Sequence, residues 1–205
     1  MARGRGRGRD RRIFGGAALA LAVLVGVDLA HAEGSEPMER VEVLDLRVEF
    51  RVETLFPVDG TFGPVEGELA MAPEGGAMSG ELRVDAATAD TGYALRDAVI
   101  RGEVLEAPRY PVIAFRPQSW RVRGRTDSQL SATLSGTLAL HGVERPVTVE
   151  LEARLGPADV ADVRCGLAIE FEAWGIESPG NAYLPVEPRV GIVIQGRVRL
   201  RPPRP

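Results

Sequence analysis

From residue 41 onward, apolar and charged positions take turns along the chain. Leu44, Leu46, Val48, Phe50 and Val52 alternate with Asp45, Arg47, Glu49, Arg51 and Glu53. Successive side chains of a strand point to opposite faces, so this stretch has one dry face and one charged face. A helix would place Leu44 and Leu46 on different sides. The pattern therefore predicts a strand. The same alternation predicts strands at 147–155, 167–172 and 190–200. Less regular strands are predicted at 67–71, 79–86, 113–116, 120–123 and 130–140. Turn clusters such as Pro73-Glu74-Gly75-Gly76 and Gly124-Arg125-Thr126-Asp127 punctuate them.

Only residues 90–106 read as helical. Ala94, Leu95, Ala98, Val99, Val104 and Leu105 fall at three- and four-residue spacings. Asp90 or Thr91 is expected to cap this segment and Pro108 to stop it, while Gly92 and Gly102 limit it to one or two turns. About eight strands with one dry face each make an all-β, antiparallel domain. Two stacked sheets would hide the dry faces, and so would one sheet closed on itself. The alternation alone is compatible with both.

The first 32 residues do not share the pattern. Six arginines (Arg3, Arg5, Arg7, Arg9, Arg11, Arg12) precede an uncharged apolar run at 13–27, followed by Ala30-His31-Ala32. That order is a secretory signal peptide, with cleavage expected after Ala32. The apolar run is short for a membrane span, and Asp28 interrupts it. Arg11-Arg12-Ile13-Phe14 also resembles a twin-arginine signal, so either export route fits. The expected division is a signal peptide at 1–32, a leader at 33–40, a barrel domain at 41–200 and a tail at 201–205. The destination is the periplasm, and no integral membrane segment remains after cleavage.

Removing the presequence leaves 19 arginines against 27 acidic residues, a net charge of −8, with no lysine anywhere. Such acidity excludes nucleic acid and anionic membrane surfaces as electrostatic partners. One cysteine, Cys165, cannot form an internal disulfide. It reads as a small buried hydrophobe rather than a reactive thiol.

Two segments carry a recognisable pattern. The first is Thr91-Gly92-Tyr93-Ala94-Leu95-Arg96-Asp97, continuing to Arg109-Tyr110-Pro111-Val112-Ile113-Ala114-Phe115. The second is Gly136-Thr137-Leu138-Ala139-Leu140-His141-Gly142-Val143-Glu144-Arg145-Pro146-Val147. They resemble the T-G-x-x-x-R-D … Y-P-x-[IA]-x-F segment and the G-x-L-x-[IL]-H-G-V-x-[KR]-P-V hairpin of the YceI-like family. Phe171-Glu172-Ala173-Trp174-Gly175-Ile176 is a weaker echo. The resemblance covers roughly residues 41–200. It implies a lipocalin-like antiparallel eight-stranded β-barrel with one short helical excursion. It also implies an exported protein, often a homodimer, that binds a polyisoprenoid or an isoprenoid quinone in an apolar tunnel. The chain departs from the family pattern at its first strand, where Val43-Leu44-Asp45-Leu46-Arg47-Val48 lacks the usual histidine. Val99-Ile100 also stands where the family often has His-Leu or His-Met.

On this reading the barrel interior, and hence the lipid site, is formed by Leu46, Val48, Phe50, Leu69, Val84, Phe115, Leu138, Val149, Leu151, Ile169, Phe171, Ile192 and Ile194. Mostly aliphatic linings leave room, and a long lipid draws its binding energy from apolar area at ~25 cal/mol per Å². The family-motif residues Thr91, Gly92, Arg96, Asp97, Tyr110, Pro111, His141, Gly142 and Pro146 are read as structural. His141-Gly142 suits a tight turn with positive φ. Arg96 and Asp97 suit an ion pair or cap that pins the helical turn. Tyr110-Pro111 leads into a strand, and Pro146 opens another. Trp120 and Trp174 fit a ligand wall and a core plug equally well. Beyond the presequence, one histidine, one cysteine and scattered carboxylates do not form a metal set. No cofactor and no catalytic group is expected. Two alternatives remain open: a small envelope enzyme using Asp97, Arg96 and His141, and a solid, ligand-free barrel acting as an interaction module.

Overall fold

The structure is a computed structural model that describes residues 38–177 and 186–202. The expected presequence lies outside these residues, as do 33–37 of the expected leader and 203–205 of the expected tail. The described strands are β1 (Glu39–Thr54), β2 (Val58–Phe62), β3 (Glu66–Met71), β4 (Gly76–Asp85), β5 (Val112–Arg125), β6 (Gln129–Leu140), β7 (Val143–Leu155), β8 (Val160–Glu170) and β9 (Val186–Arg201). Pairing thus begins at Glu39 and runs to Arg201, slightly past the expected bounds of 41 and 200.

From β3 to β9, each strand pairs antiparallel with the next, and β9 returns to β1 along its length. The other edge of β1 takes β3 near its start and β2 near its end. β2 and β3 therefore share one position, and the ring closes with eight. Closure leaves no free sheet edge between first and last strands. Gly196 marks the seam. It sits at φ 149° beside a register shift between Val43 and Asp45, where a Cβ would collide with the Asp45 carbonyl oxygen.

Several expectations are corrected. The strands expected at 113–116 and 120–123 are one strand, β5, running through Pro117 with a register shift there. β2 was not predicted, because Val58-Asp59-Gly60-Thr61-Phe62 is too short and polar to show a period. Phe171 and Glu172 leave the sheet for a 3₁₀ turn, Phe171–Trp174. Pro146 lies inside β7 rather than opening it. The ladder of β7 with β8 starts only at Glu150, so Pro146 sits on a stretch with one unpaired edge, where a missing N–H is tolerated.

The helical excursion is the 86–111 connection between β4 and β5. Its helix, α1 (Ala94–Val99), continues into one wider π-helical turn, Ile100–Val104. Neither Asp90 nor Thr91 caps α1. Its N-cap is Tyr93, which makes no side-chain cap bond. Asp90 and Thr61 exchange backbone hydrogen bonds of 2.8 Å, which tie the connection to β2. The helix ends before Pro108, where Glu106 takes a left-handed φ of 44°.

The connections β1–β2, β4–β5 and β6–β7, and the turn at 171–177 that follows β8, lie at one end of the barrel. That end also carries the helix. The outer face is laced with exposed arginine–carboxylate pairs. Arg116 bridges Glu81 and Glu144, Arg51 bridges Glu53 and Asp59, and Arg201 meets Glu42 at 3.1 Å. Each such exposed pair contributes ~0–1 kcal/mol, so the barrel is held by its inner face.

Candidate functional site: an apolar cavity inside the barrel

The inward side chains do not fill the barrel. Among the described residues no large side chain is wholly cut off from solvent-sized space, and inward-facing Leu151, Val163, Cys165, Leu167, Ile192 and Ile194 keep accessible surface. They border a cavity of about 450 Å³. Its lining runs from Val41 to Thr54 along β1. Thirteen steps of a strand cover ~40 Å of path, or ~30 Å along the axis of a barrel whose strands tilt by about 40°.

All thirteen residues expected inside the barrel border this cavity. Leu46, Val48 and Phe50 come from β1, Leu69 from β3, Val84 from β4 and Phe115 from β5. Leu138 comes from β6, Val149 and Leu151 from β7, Ile169 from β8, and Ile192 and Ile194 from β9; Phe171 closes the set from the turn after β8. For the twelve on strands, the alternation that predicts the strand also sets which side faces inward; Leu44, expected on the same dry face as Leu46, is left off the lining at the register shift between Val43 and Asp45.

The sequence reading missed two groups. Val99, Ile100, Val104 and Leu105 line the cavity from the helical excursion. Their spacing showed a helix but not where its apolar face would rest. Thr54, Val58 and Phe62 line it from the β1–β2 hairpin. Among the described residues, every lining residue apart from Thr54 and Arg96 is apolar. Arg96 is the single charged one, with its Nε donating to Thr91 Oγ1 at 2.8 Å and Nη2 to the Thr91 carbonyl at 3.0 Å.

Arg96 and Asp97 are not paired with each other. Both converge on Thr91. The Asp97 carboxylate, 5% exposed, accepts the Thr91 N–H at 2.8 Å and the Thr91 hydroxyl at 2.5 Å. The hydroxyl bond is the main reason its pKa lies below the ordinary carboxylate value of 3.8; desolvation opposes the shift, and the Thr91 N–H, Arg101 and Arg96 add to it. Gly92, at φ 74°, donates its N–H to Asp90 Oδ1 at 2.7 Å. The motif is a clamp that folds the loop back onto α1.

His141 and Gly142 form the two-residue β6–β7 turn, with φ of 52° and 74°. A Cβ at Gly142 would collide with the Tyr110 ring. His141 does more than turn the chain. Its Nδ1 lies 3.2 Å from the Trp174 carbonyl, its Nε2 3.1 Å from Glu106 Oε1, and its ring 4.6 Å from that of Tyr110. Pro111 precedes β5, and its carbonyl accepts from Ala86 at 2.8 Å. Neither tryptophan borders the cavity. Trp120 is buried in the core and donates to the Ala72 carbonyl at 2.8 Å, and Trp174 is buried at the end of the turn after β8.

The sequence profile of the YceI-like domain matches residues 41–200. The chain belongs to the YceI-like family. It is 29% identical over 143 residues to a UPF0312 protein of Vibrio parahaemolyticus, covering 67% of this chain and 70% of that one. A UPF0312 protein of Vibrio campbellii matches to the same extent. Among solved structures, Burkholderia cenocepacia BcnA superposes with a TM-score of 0.63 at 18% identity, covering 75% of this chain and 95% of that one. A polyisoprenoid binding domain from Saccharophagus degradans, implicated in plant cell wall breakdown, superposes with a TM-score of 0.61 at 17% identity, covering 80% and 98%. At these identities the superpositions establish a shared fold. Among the described residues of this YceI-like chain, no helix is long and apolar enough to cross a membrane.

Proposed function

We propose that this YceI-like protein is exported to the periplasm and holds a long apolar lipid, a polyisoprenoid or an isoprenoid quinone, inside its barrel for carriage or storage. One observation carries the reading: a cavity of about 450 Å³ whose lining, among the described residues, includes a single charged one. Such a hollow repels polar solutes and rewards a hydrocarbon chain at ~25 cal/mol per Å² of apolar surface removed from water. The polyisoprenoid binding domain of Saccharophagus degradans has the same fold and supports the choice of chain. The homodimer expected from the family resemblance is kept in this reading.

Binding rather than catalysis fits the motif residues. Asp97 is engaged by Thr91, and His141 by Trp174 and Glu106. Of Arg96, Asp97 and His141, only Arg96 reaches the cavity. A general acid or base must lie within hydrogen-bond reach of the reacting group. The test is extraction of the purified mature protein with organic solvent, followed by mass spectrometry. A stoichiometric isoprenoid or comparable long-chain lipid is expected; its absence from several preparations would overturn the reading.

A further inference from the structure

The exposed large hydrophobic residues are unevenly distributed. Among the described residues they are Leu55 (70% exposed), Phe56 (76%), Tyr93 (57%), Leu95 (70%), Val99 (40%) and Val112 (48%). All six lie at the end of the barrel that carries α1. The opposite end, with its turns at 72–75, 126–128 and 156–159, has none among the described residues. Chance scatter of surface hydrophobics needs no explanation, but a cluster at one end does.

The cluster is continuous with the cavity. Leu55 and Phe56 form the tip of a hairpin whose flanking residues Thr54 and Val58 are cavity lining. Leu95 and Val99 are four residues apart and share a face of α1. Val99 is the one lining residue that is also exposed, so the cavity wall and the apolar patch share a residue at this end. An apolar surface therefore adjoins an apolar hollow.

The geometry points to a phospholipid bilayer as the partner of this end: the protein docks mouth-down, with Leu55, Phe56 and Leu95 entering the interfacial layer. The inference rests on the lipid-holding reading, because a long lipid passes between bilayer and cavity without crossing water only if the mouth meets the membrane. Tyr93 beside the leucines suits the headgroup level, where amphipathic rings gather. The charge of the mature chain, −8, makes an anionic surface a poor electrostatic match. Docking is therefore driven by apolar insertion. It needs no anionic lipid and withstands salt.

Flotation of the mature protein with pure phosphatidylcholine vesicles tests this, at low and at 0.5 M salt as about the two useful extremes. The comparison is a variant carrying Leu55→Ser, Phe56→Ser and Leu95→Ser, three exposed residues outside the cavity lining, with circular dichroism and melting to show that it folds. Wild type is expected to float at both salt levels, and the variant to partition about 100-fold less. The inference is overturned if wild type stays in the aqueous phase. It is also overturned if flotation requires phosphatidylglycerol and low salt, or if the variant floats as well as wild type. Sedimentation showing that the substitutions convert a dimer into a monomer, with no change in flotation, would assign the patch to a second copy instead. Empty vesicles suffice, so a barrel that docks yet carries no extractable lipid would defeat the proposed cargo alone.

Discussion

Glu106 and His141, 35 residues apart, meet through Oε1 and Nε2 at 3.1 Å, and both sit at left-handed backbone angles, φ 44° and 52°. One ends the helical excursion and the other turns β6 into β7. Through its other nitrogen His141 reaches the Trp174 carbonyl, so three connections at the mouth are tied to one ring.

This knot is expected to be structural and measurable. His141→Ala and Glu106→Ala should each destabilise the barrel by ~1–2 kcal/mol, with a coupling of ~0.5–1.5 kcal/mol in a double-mutant cycle by urea unfolding. Additive effects would show that the contact contributes nothing. Glu106→Gly should cost less than Glu106→Ala, because glycine accepts the positive φ.

The Asp97 clamp predicts an acid-side instability. A carboxylate held below its ordinary value of 3.8 by the Thr91 hydroxyl contributes stability that is present above that value and is lost as pH falls through the lower folded one. Asp97→Asn should therefore lower the melting temperature at neutral pH, and the gap to wild type should narrow as pH drops below about 4. A gap that stays constant from neutral pH to about pH 3 would refute the role.

Cys165 predicts the opposite, alkaline sensitivity. Burial on the cavity wall pushes its thiol from 9.0 up to about 11. Its contribution is fully present below pH 9 and is lost as pH rises through 11, on the order of 2–3 kcal/mol. Wild type should lose more stability than Cys165→Ala across that interval. In the native state at about pH 8 the thiol should resist a charged disulfide reagent and react promptly once unfolded.

Filling the hollow should separate binding from folding. Ile192 stands in register with Phe50 on β1 and Leu167 on β8, and it borders the cavity. Ile192→Trp places a bulky ring in empty space. Lipid recovered by extraction should fall about tenfold or more, while the melting temperature stays within about 5 °C of wild type. Full lipid content in a well-folded variant would show that the chain does not occupy this part of the barrel.

What was legible in the sequence was local. Period-two alternation from Leu46 to Glu53 specifies a strand and its dry face within eight residues, so interior positions on such strands could be named without knowing any partner strand. The tight turn at His141-Gly142 was legible for the same reason, since left-handed φ is a property of two adjacent residues. The pattern weakened where it was short or interrupted. β2 has five residues, and Pro117 broke β5 into two apparent strands.

What only the tertiary structure decided was non-local. Closure depends on β1 finding β9, about 150 residues later, and on whether the enclosed side chains are large enough to fill the ring. No local pattern encodes that volume. Asp97 next to Arg96 suggested a pair, yet folding aims both at Thr91. Glu106 gave no sign of its partner, because a histidine 35 residues away comes within reach only after the barrel closes. Alternation sorts side chains into inside and outside residue by residue, whereas a hollow and its mouth depend on how eight strand positions close.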